Sequence, residues 1–146
     1  MNESEVYITL FTSSFLSSTI LPGHSELTLT VFIFLNKLPV TNLVLVASLG
    51  NILGSILNWY LGFNFTKLKE KKWFPLNETK LQKSIIWFSS YGKYCLLLSW
   101  VPILGDPLTL VAGILRIRLF TFIIFVSIAK VSRYVIIALI SKSFLF

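Results

Sequence analysis

Apolar residues fall in four blocks, at 6–35, 43–63, 85–115 and 119–140, separated by short polar stretches. The first block is cut by Pro22-Gly23. Residues 6–21 would then reach about 24 Å as a helix, against a hydrocarbon core of about 30 Å, so this segment is expected to enter a bilayer and turn back. Ser13, Ser14, Ser17, Ser18 and Thr19 crowd the approach to the break, as suits backbone that must be buried in protein or face a wet cavity. Residues 43–63 form the first spanning candidate: they carry no charge, and Trp59 and Tyr60 serve as interfacial anchors near the end. Ser48, Asn51, Ser55 and Asn58 recur at helical spacing and share one stripe, with Gly50 and Gly54 beside it at small-xxx-small spacing. The stripe reads equally well as a packing face with satisfied amides or as the wall of a polar path.

The third block repeats the first. It is broken at Pro102 and again at Gly105-Asp106-Pro107, where Asp106 suits a helix N-cap and Pro107 the first helical turn. Residues 119–140 are the second spanning candidate. Leu21-Pro22-Gly23-His24-Ser25-Glu26 and Val101-Pro102-Ile103-Leu104-Gly105-Asp106 each place an acid four residues after a proline, in halves that match weakly at an offset of about 80 residues. The fold expected is an all-α integral membrane protein, an inverted repeat of two units, each a re-entrant helical hairpin followed by a transmembrane helix. The whole chain forms a single domain, with one repeat at 6–63, a basic loop at 64–83 and the second repeat at 84–141.

Composition agrees with this pattern. The 146 residues are 55% hydrophobic and 13% charged, whereas soluble domains are nearer a quarter charged. The net charge of +7 is concentrated in Lys67, Lys69, Lys71, Lys72, Lys80 and Lys83, between apolar blocks, where Trp73 and Phe74 can dip into the interface. Without a basic helix or zinc-ligand spacing, nucleic acid is not an expected partner. Those six lysines with Arg116 and Arg118 outnumber Lys37 and Lys142 by eight to two, which puts the central loop in the cytoplasm and both ends outside. The acidic start, Met1-Asn2-Glu3-Ser4-Glu5, lacks the pattern of a secretory signal, so the first apolar segment is expected to be retained.

Glu26, Asp106, Lys130 and Arg133 fall at membrane depth. Each such charge costs at least about 2.5–3.5 kcal/mol, so the four are expected to face inward and see one another. A carboxyl there can take and release a proton unless a base holds it ionised, and the guanidinium and ammonium can receive a phosphate. Ser25 and Asn51 complete the candidate substrate site. A conflict arises at Asp106, which as an N-cap consumes the donors an anion needs. The bland reading makes the four charges buried ties between the halves. His24 is a candidate proton relay, though a lone histidine is more often structural. Ser25 beside His24 makes no hydrolytic dyad, since neighbours seldom present side chains to each other. Cys95 in an apolar run is an inert packing residue, and with one histidine and one cysteine neither a disulfide nor a metal cluster is expected. No cofactor and no enzymatic activity are expected.

The series Phe15-Leu16-Ser17-Ser18-Thr19-Ile20-Leu21-Pro22-Gly23-His24-Ser25-Glu26, Gly50-Asn51-Ile52-Leu53-Gly54, Tyr91-Gly92, Leu98-Ser99-Trp100-Val101-Pro102-Ile103-Leu104-Gly105-Asp106, Ala112-Gly113 and Lys130-Val131-Ser132-Arg133-Tyr134 resembles the small YqaA-type branch of the DedA family. That family shares the VTT, or SNARE-associated, domain with eukaryotic lipid scramblases. The resemblance covers nearly the whole chain. It implies a place in the bacterial cytoplasmic membrane and translocation of lipid, including polyprenyl phosphate carriers in some members, with proton or sodium coupling. Glu26 stands where the family has its acid in the first hairpin. In the second hairpin larger members carry arginine where this chain has Gly105 followed by Asp106, so that phosphate-binding role does not transfer to this position. The function expected is a membrane transporter or lipid translocase of flippase or scramblase type. The alternative is a non-transporting membrane protein that organises partners or supports envelope homeostasis. Membrane lipids are the expected partners, and the oligomeric state is open.

Overall fold

A computed structural model of the chain describes residues 1–19, 24–35, 37–64, 78–101 and 105–145, apart from the side chains of 78, 80 and 81. The breaks at Pro22-Gly23 and Pro102, the lysines at 67, 69, 71 and 72, and the Trp73-Phe74 pair all lie outside the described residues. The elements are all helical: α1 (Glu3–Thr19), α2 (His24–Phe34), α3 (Val40–Phe63), α4 (Glu78–Tyr91), a 3₁₀ segment (Gly92–Trp100), α5 (Gly105–Ile114) and α6 (Leu119–Ser143).

Local chemistry sets the helix ends. Glu5 accepts a hydrogen bond from the Asn2 backbone N–H at 2.9 Å, half of a capping box, and with Glu3 places negative charge at the positive end of α1. Pro39 precedes α3, its φ of −58° already suited to entering a helix. α4 begins at Glu78, inside the stretch that hydropathy alone reads as connector; Ser84 and Phe88 turn inward, and its exposed side mixes Gln82, Lys83 and Ser89 with Ile85 and Ile86. It stops at Gly92, whose φ of +61° breaks the helix, and nine residues continue as 3₁₀. The first limb of the second hairpin is therefore two pieces, where that of the first is one helix.

α5 closes at a left-handed residue that is not glycine. Arg116 has φ 56°, with Arg116 N–H donating to Gly113 O at 3.0 Å and Ile117 N–H to Ala112 O at 3.0 Å, the paired bonds of a Schellman ending. Its guanidinium lies 4.7 Å from the centre of the Phe63 ring, and that contact offsets the backbone cost. Arg116→Val should therefore lower stability by about 1–3 kcal/mol, a β-branched residue being poorly tolerated there, while Arg116→Gly should be close to neutral. Thermal unfolding in detergent distinguishes the two.

α3 and α6 are each long and apolar enough to cross a membrane. Their outward faces carry Leu45, Leu49, Leu53 and Leu57, and Ile124, Ile128, Val135 and Leu139, all exposed. The buried set includes Ser14, Ser17, Ser18, Ser25, Ser48, Asn51, Ser55, Asn58 and Thr109. An apolar exterior over a polar interior suits hydrocarbon as the surrounding medium. The expectation of an all-α integral membrane protein holds at this level.

The remaining helices pack around these two. α1 lies on α3 and α2 on α6; the 3₁₀ segment lies on α6 and α5 on α3. Each hairpin thus bridges both long helices. Two apolar clusters result, one around Leu10, Leu29, Leu43 and Tyr134, the other around Leu96, Leu108, Val111 and Phe122. Trp59, expected as an interfacial anchor, turns inward: it donates to Ile117 O at 3.0 Å and stacks on Phe63 at 5.2 Å. Its indole N–H satisfies a carbonyl at the α5–α6 corner, which ties down the end of α3. Tyr60 stays exposed.

Candidate functional site

The polar stripe of α3 makes a tight seam with α1. A Cβ built on Gly50 would lie 2.6 Å from Phe11 O, and one on Gly54 2.6 Å from Phe15 O, so only glycine allows this approach. Across the seam Asn51 Nδ2 donates to Ser14 O at 3.1 Å, and Asn58 Nδ2 donates to Ser18 O at 2.7 Å and to Thr109 Oγ1 at 3.2 Å. Ser18 O belongs to the last turn of α1, where carbonyls have no intrahelical partner. Asn58 thereby joins α1, α3 and α5 at one point. Asn51, a candidate for the substrate site, serves in this geometry to hold α1. The buried Oδ1 atoms of both asparagines, with Ser14 Oγ and Ser48 Oγ, have no hydrogen-bond partner among the described residues.

α6 brings two bases to the two hairpins. Lys130 and Arg133, three residues apart, share a face of the helix. Lys130 Nζ donates to Asp106 Oδ1 at 3.1 Å; Lys130 is 1% exposed and the Asp106 side chain 23%. Arg133 Nε lies 3.5 Å from Glu26 Oε1, with side-chain exposures of 8% and 29%. All four charges are thus paired, acid to base, one acid from each hairpin.

The pairs differ in quality. The Lys130–Asp106 contact is a hydrogen-bonded ion pair with little access to solvent. In the other pair the contact is longer, Arg133 Nε makes no hydrogen bond although buried, and Arg133 Nη2 reaches Tyr134 Oη only at 3.4 Å. Arginine has five N–H donors, so this guanidinium is poorly satisfied among the described residues. Burial of an under-bonded cation is costly, and an anion with several acceptor oxygens would relieve that cost.

The Asp106 carboxylate bonds Lys130 rather than its own helix end; within the helix start, Thr109 Oγ1 donates to Asp106 O at 2.6 Å. The expected N-cap role is not filled, because α5 already includes Gly105 and Asp106 lies inside its first turn, where its carboxylate meets the Lys130 ammonium instead. Ser25 is fully buried between Ser17 Oγ at 2.9 Å and Tyr134 Oη at 2.8 Å, linking α1, α2 and α6 beside the Glu26–Arg133 pair. His24 is exposed and lines a separate groove against Thr9, Thr12, Ser13 and Ser17 of α1. Positions 24 and 26 point about 200° apart on a helix, so the imidazole and the carboxylate diverge. Ser17, Thr109 and Tyr134 were missed by sequence reasoning. Tyr134 adjoins Arg133 and Ser17 stands in the polar run before the first break, which are the signals that point to them; no local pattern singles out Thr109. Cys95 is buried among apolar side chains, as expected. No cluster of metal-ligating side chains occurs among the described residues.

Residues 21–143 match the VTT domain. The chain is 40% identical over 138 residues to the inner membrane protein YqaA of Escherichia coli (strain K12), covering 94% of this chain and 92% of that protein, and equally to YqaA of Shigella flexneri. It is 33% identical over 147 residues to an uncharacterized protein of Haemophilus influenzae, covering 93% of this chain and 87% of that one. No solved structure matches the chain.

Proposed function

The chain belongs to the DedA family of membrane proteins, which carry the VTT domain, and on that premise we propose that it carries a phosphate-bearing lipid across the membrane by opening the Glu26–Arg133 pair. The observation that carries this reading is the buried, under-bonded guanidinium of Arg133 beside a carboxylate that is 29% exposed. A lipid phosphate, polyprenyl phosphate or phospholipid, enters from the Glu26 side and takes the donors of Arg133 in a bidentate grip. Glu26 swings out and is neutralised by a proton or a sodium ion, which couples the movement to an ion gradient. Lys130 and Asp106 stay paired and tie the start of α5 to α6. No covalent chemistry is involved.

In this reading the two halves are an inverted repeat. The exchange of partners, α1 on α3 with α2 on α6 against the 3₁₀ segment on α6 with α5 on α3, supports it. Two hairpins, one from each leaflet, then meet near the midplane, and alternating access is a rocking of one hairpin against the long helices. The basic central loop lies in the cytoplasm.

The test is lipid movement in liposomes containing purified protein, with fluorescent or phosphorylated lipids. Glu26→Gln and Arg133→Ala, folded as judged by circular dichroism, should each lower the rate by about 10- to 100-fold, the loss expected of a site whose central interaction is worth about 1.4–2.8 kcal/mol. A second reading, a non-transporting protein that organises partners in the membrane, is favoured by the Lys130–Asp106 tie, which is as well satisfied as a purely structural pair. Absence of lipid movement by the wild-type protein would select it.

A further inference from the structure

A separate surface feature lies on α6, away from the Glu26–Arg133 pair. Between the start of α3 and the end of α6 runs an apolar groove of about 340 Å³. Its floor is Val44 and Ala138, 9% and 5% exposed, and Leu45, Val135 and Leu139 form its rims. On α6 the lining positions are 131, 135, 138, 139 and 142, the spacing of one continuous helical stripe. Arg133 is two residues from both 131 and 135, hence about 200° around the helix from each, so this groove and the Arg133 guanidinium occupy different faces.

Three features define what fits. The groove begins at Val131, the midpoint of Leu119–Ser143, and ends at Lys142 in the last turn. Eleven residues of helix rise about 16 Å, half of a hydrocarbon core of about 30 Å, so the groove is one leaflet deep. A helix from a partner protein needs a seam over both leaflets; an acyl chain needs only this one. The wall is apolar until its outer end, where Thr41 and the exposed ammonium of Lys142 stand, and Lys142 makes no salt bridge among the described residues. Ala138 supplies the depth, being the small residue on the floor between larger neighbours.

We propose that this groove is a binding site for one anionic phospholipid, its acyl chain lying along Val135 and Ala138 and its phosphate against Lys142. The occupant carries a net negative charge, because the groove lining among the described residues holds Lys142 and no acid to receive an ammonium group. The site is independent of the translocation reading and rests only on the placement of α3 and α6 in the membrane. A lipid seated there joins the two long helices at one end, so it acts as a stabilising cofactor and not as cargo.

The experiment uses the full chain in nanodiscs of phosphatidylethanolamine holding a minor share of phosphatidylglycerol with a photoactivatable acyl chain, adducts being mapped by mass spectrometry. Adducts should concentrate on Val131, Val135 and Leu139 over Ile124 and Ile128, which are exposed on the other half of α6. Lys142→Ala should reduce labelling in the groove roughly fivefold, the worth of one lysine near an anionic surface, and Lys142→Arg should preserve it. Ala138→Leu should remove it by filling the floor. Labelling equally dense at Ile124 and Ile128, or unchanged in folded Lys142→Ala, would overturn the proposal. So would cross-links between Leu45 and Val135 of two copies in place of lipid adducts, since the face would then be a dimer interface. Equal labelling by a phosphatidylethanolamine probe would overturn the requirement for net negative charge.

Discussion

Asp106→Ala should cost about 3–5 kcal/mol of stability, because it leaves Lys130 charged, 1% exposed and without its partner at 3.1 Å. The interior around that ammonium offers little compensation: its hydrogen bond among the described residues goes to Asp106. Replacing both partners by apolar residues of similar size, Asp106→Leu with Lys130→Met, should recover most of the loss, since removing a buried pair whole removes its desolvation cost as well. Glu26→Ala should cost less than Asp106→Ala. The Glu26 carboxylate is 29% exposed and 3.5 Å away, so Arg133 loses a weaker partner. Unfolding in mixed micelles would rank the three variants. An Asp106→Ala variant as stable as Glu26→Ala would contradict the division into a tight pair and a loose one.

The second large effect is expected at the crossing of α3 and α5. A Cβ on Gly62 would run into Leu110 O and lie 3.0 Å from Ile114 N; one on Gly113 would run into Trp59 O and lie 2.9 Å from Phe63 N. In both cases the obstacle is backbone, which cannot rotate away. Gly62→Val and Gly113→Val should each force the helices apart and cost about 1–3 kcal/mol or more, the range for overpacking a well-packed site. Because they widen the same crossing, the double variant should cost less than the sum. The separation would also stretch the Asn58–Thr109 contact, now 3.2 Å, so Asn58→Ala made on top of Gly62→Val should add little. A fully additive Asn58→Ala effect would show that the crossing had not opened. Gly50 and Gly54 face α1 in the same way, and their spacing of four residues is visible in the chain; Gly62 and Gly113 belong to different helices, and nothing local pairs them.

Much of the architecture was legible before any coordinates. The spans expected at 43–63 and 119–140 lie within α3 and α6, because length and hydropathy are properties of a continuous segment and need no partner. The stripe of Ser48, Asn51, Ser55 and Asn58 is buried as a unit, since helical spacing puts all four on one face whatever that face meets. That four charges set in apolar segments would pair followed from the cost of leaving any alone.

Which acid would meet which base was not legible. Asp106 and Lys130, or Glu26 and Arg133, are far apart in the chain, and either base satisfies either acid on chemistry alone. The choice was made by where the starts of α2 and α5 come to lie against α6. Packing also decided that Tyr134 and Ser17 would hold Ser25, that Trp59 would turn inward to the Ile117 carbonyl, and that the limb after Gly92 would tighten to 3₁₀. By itself the sequence determined which segments are helical, which faces are polar and that the charges need partners, because periodicity and desolvation act within one element. Only the tertiary structure decided the pairing, the helix crossings and the difference between a tight pair and a loose one, because these depend on distances between elements that no local pattern encodes.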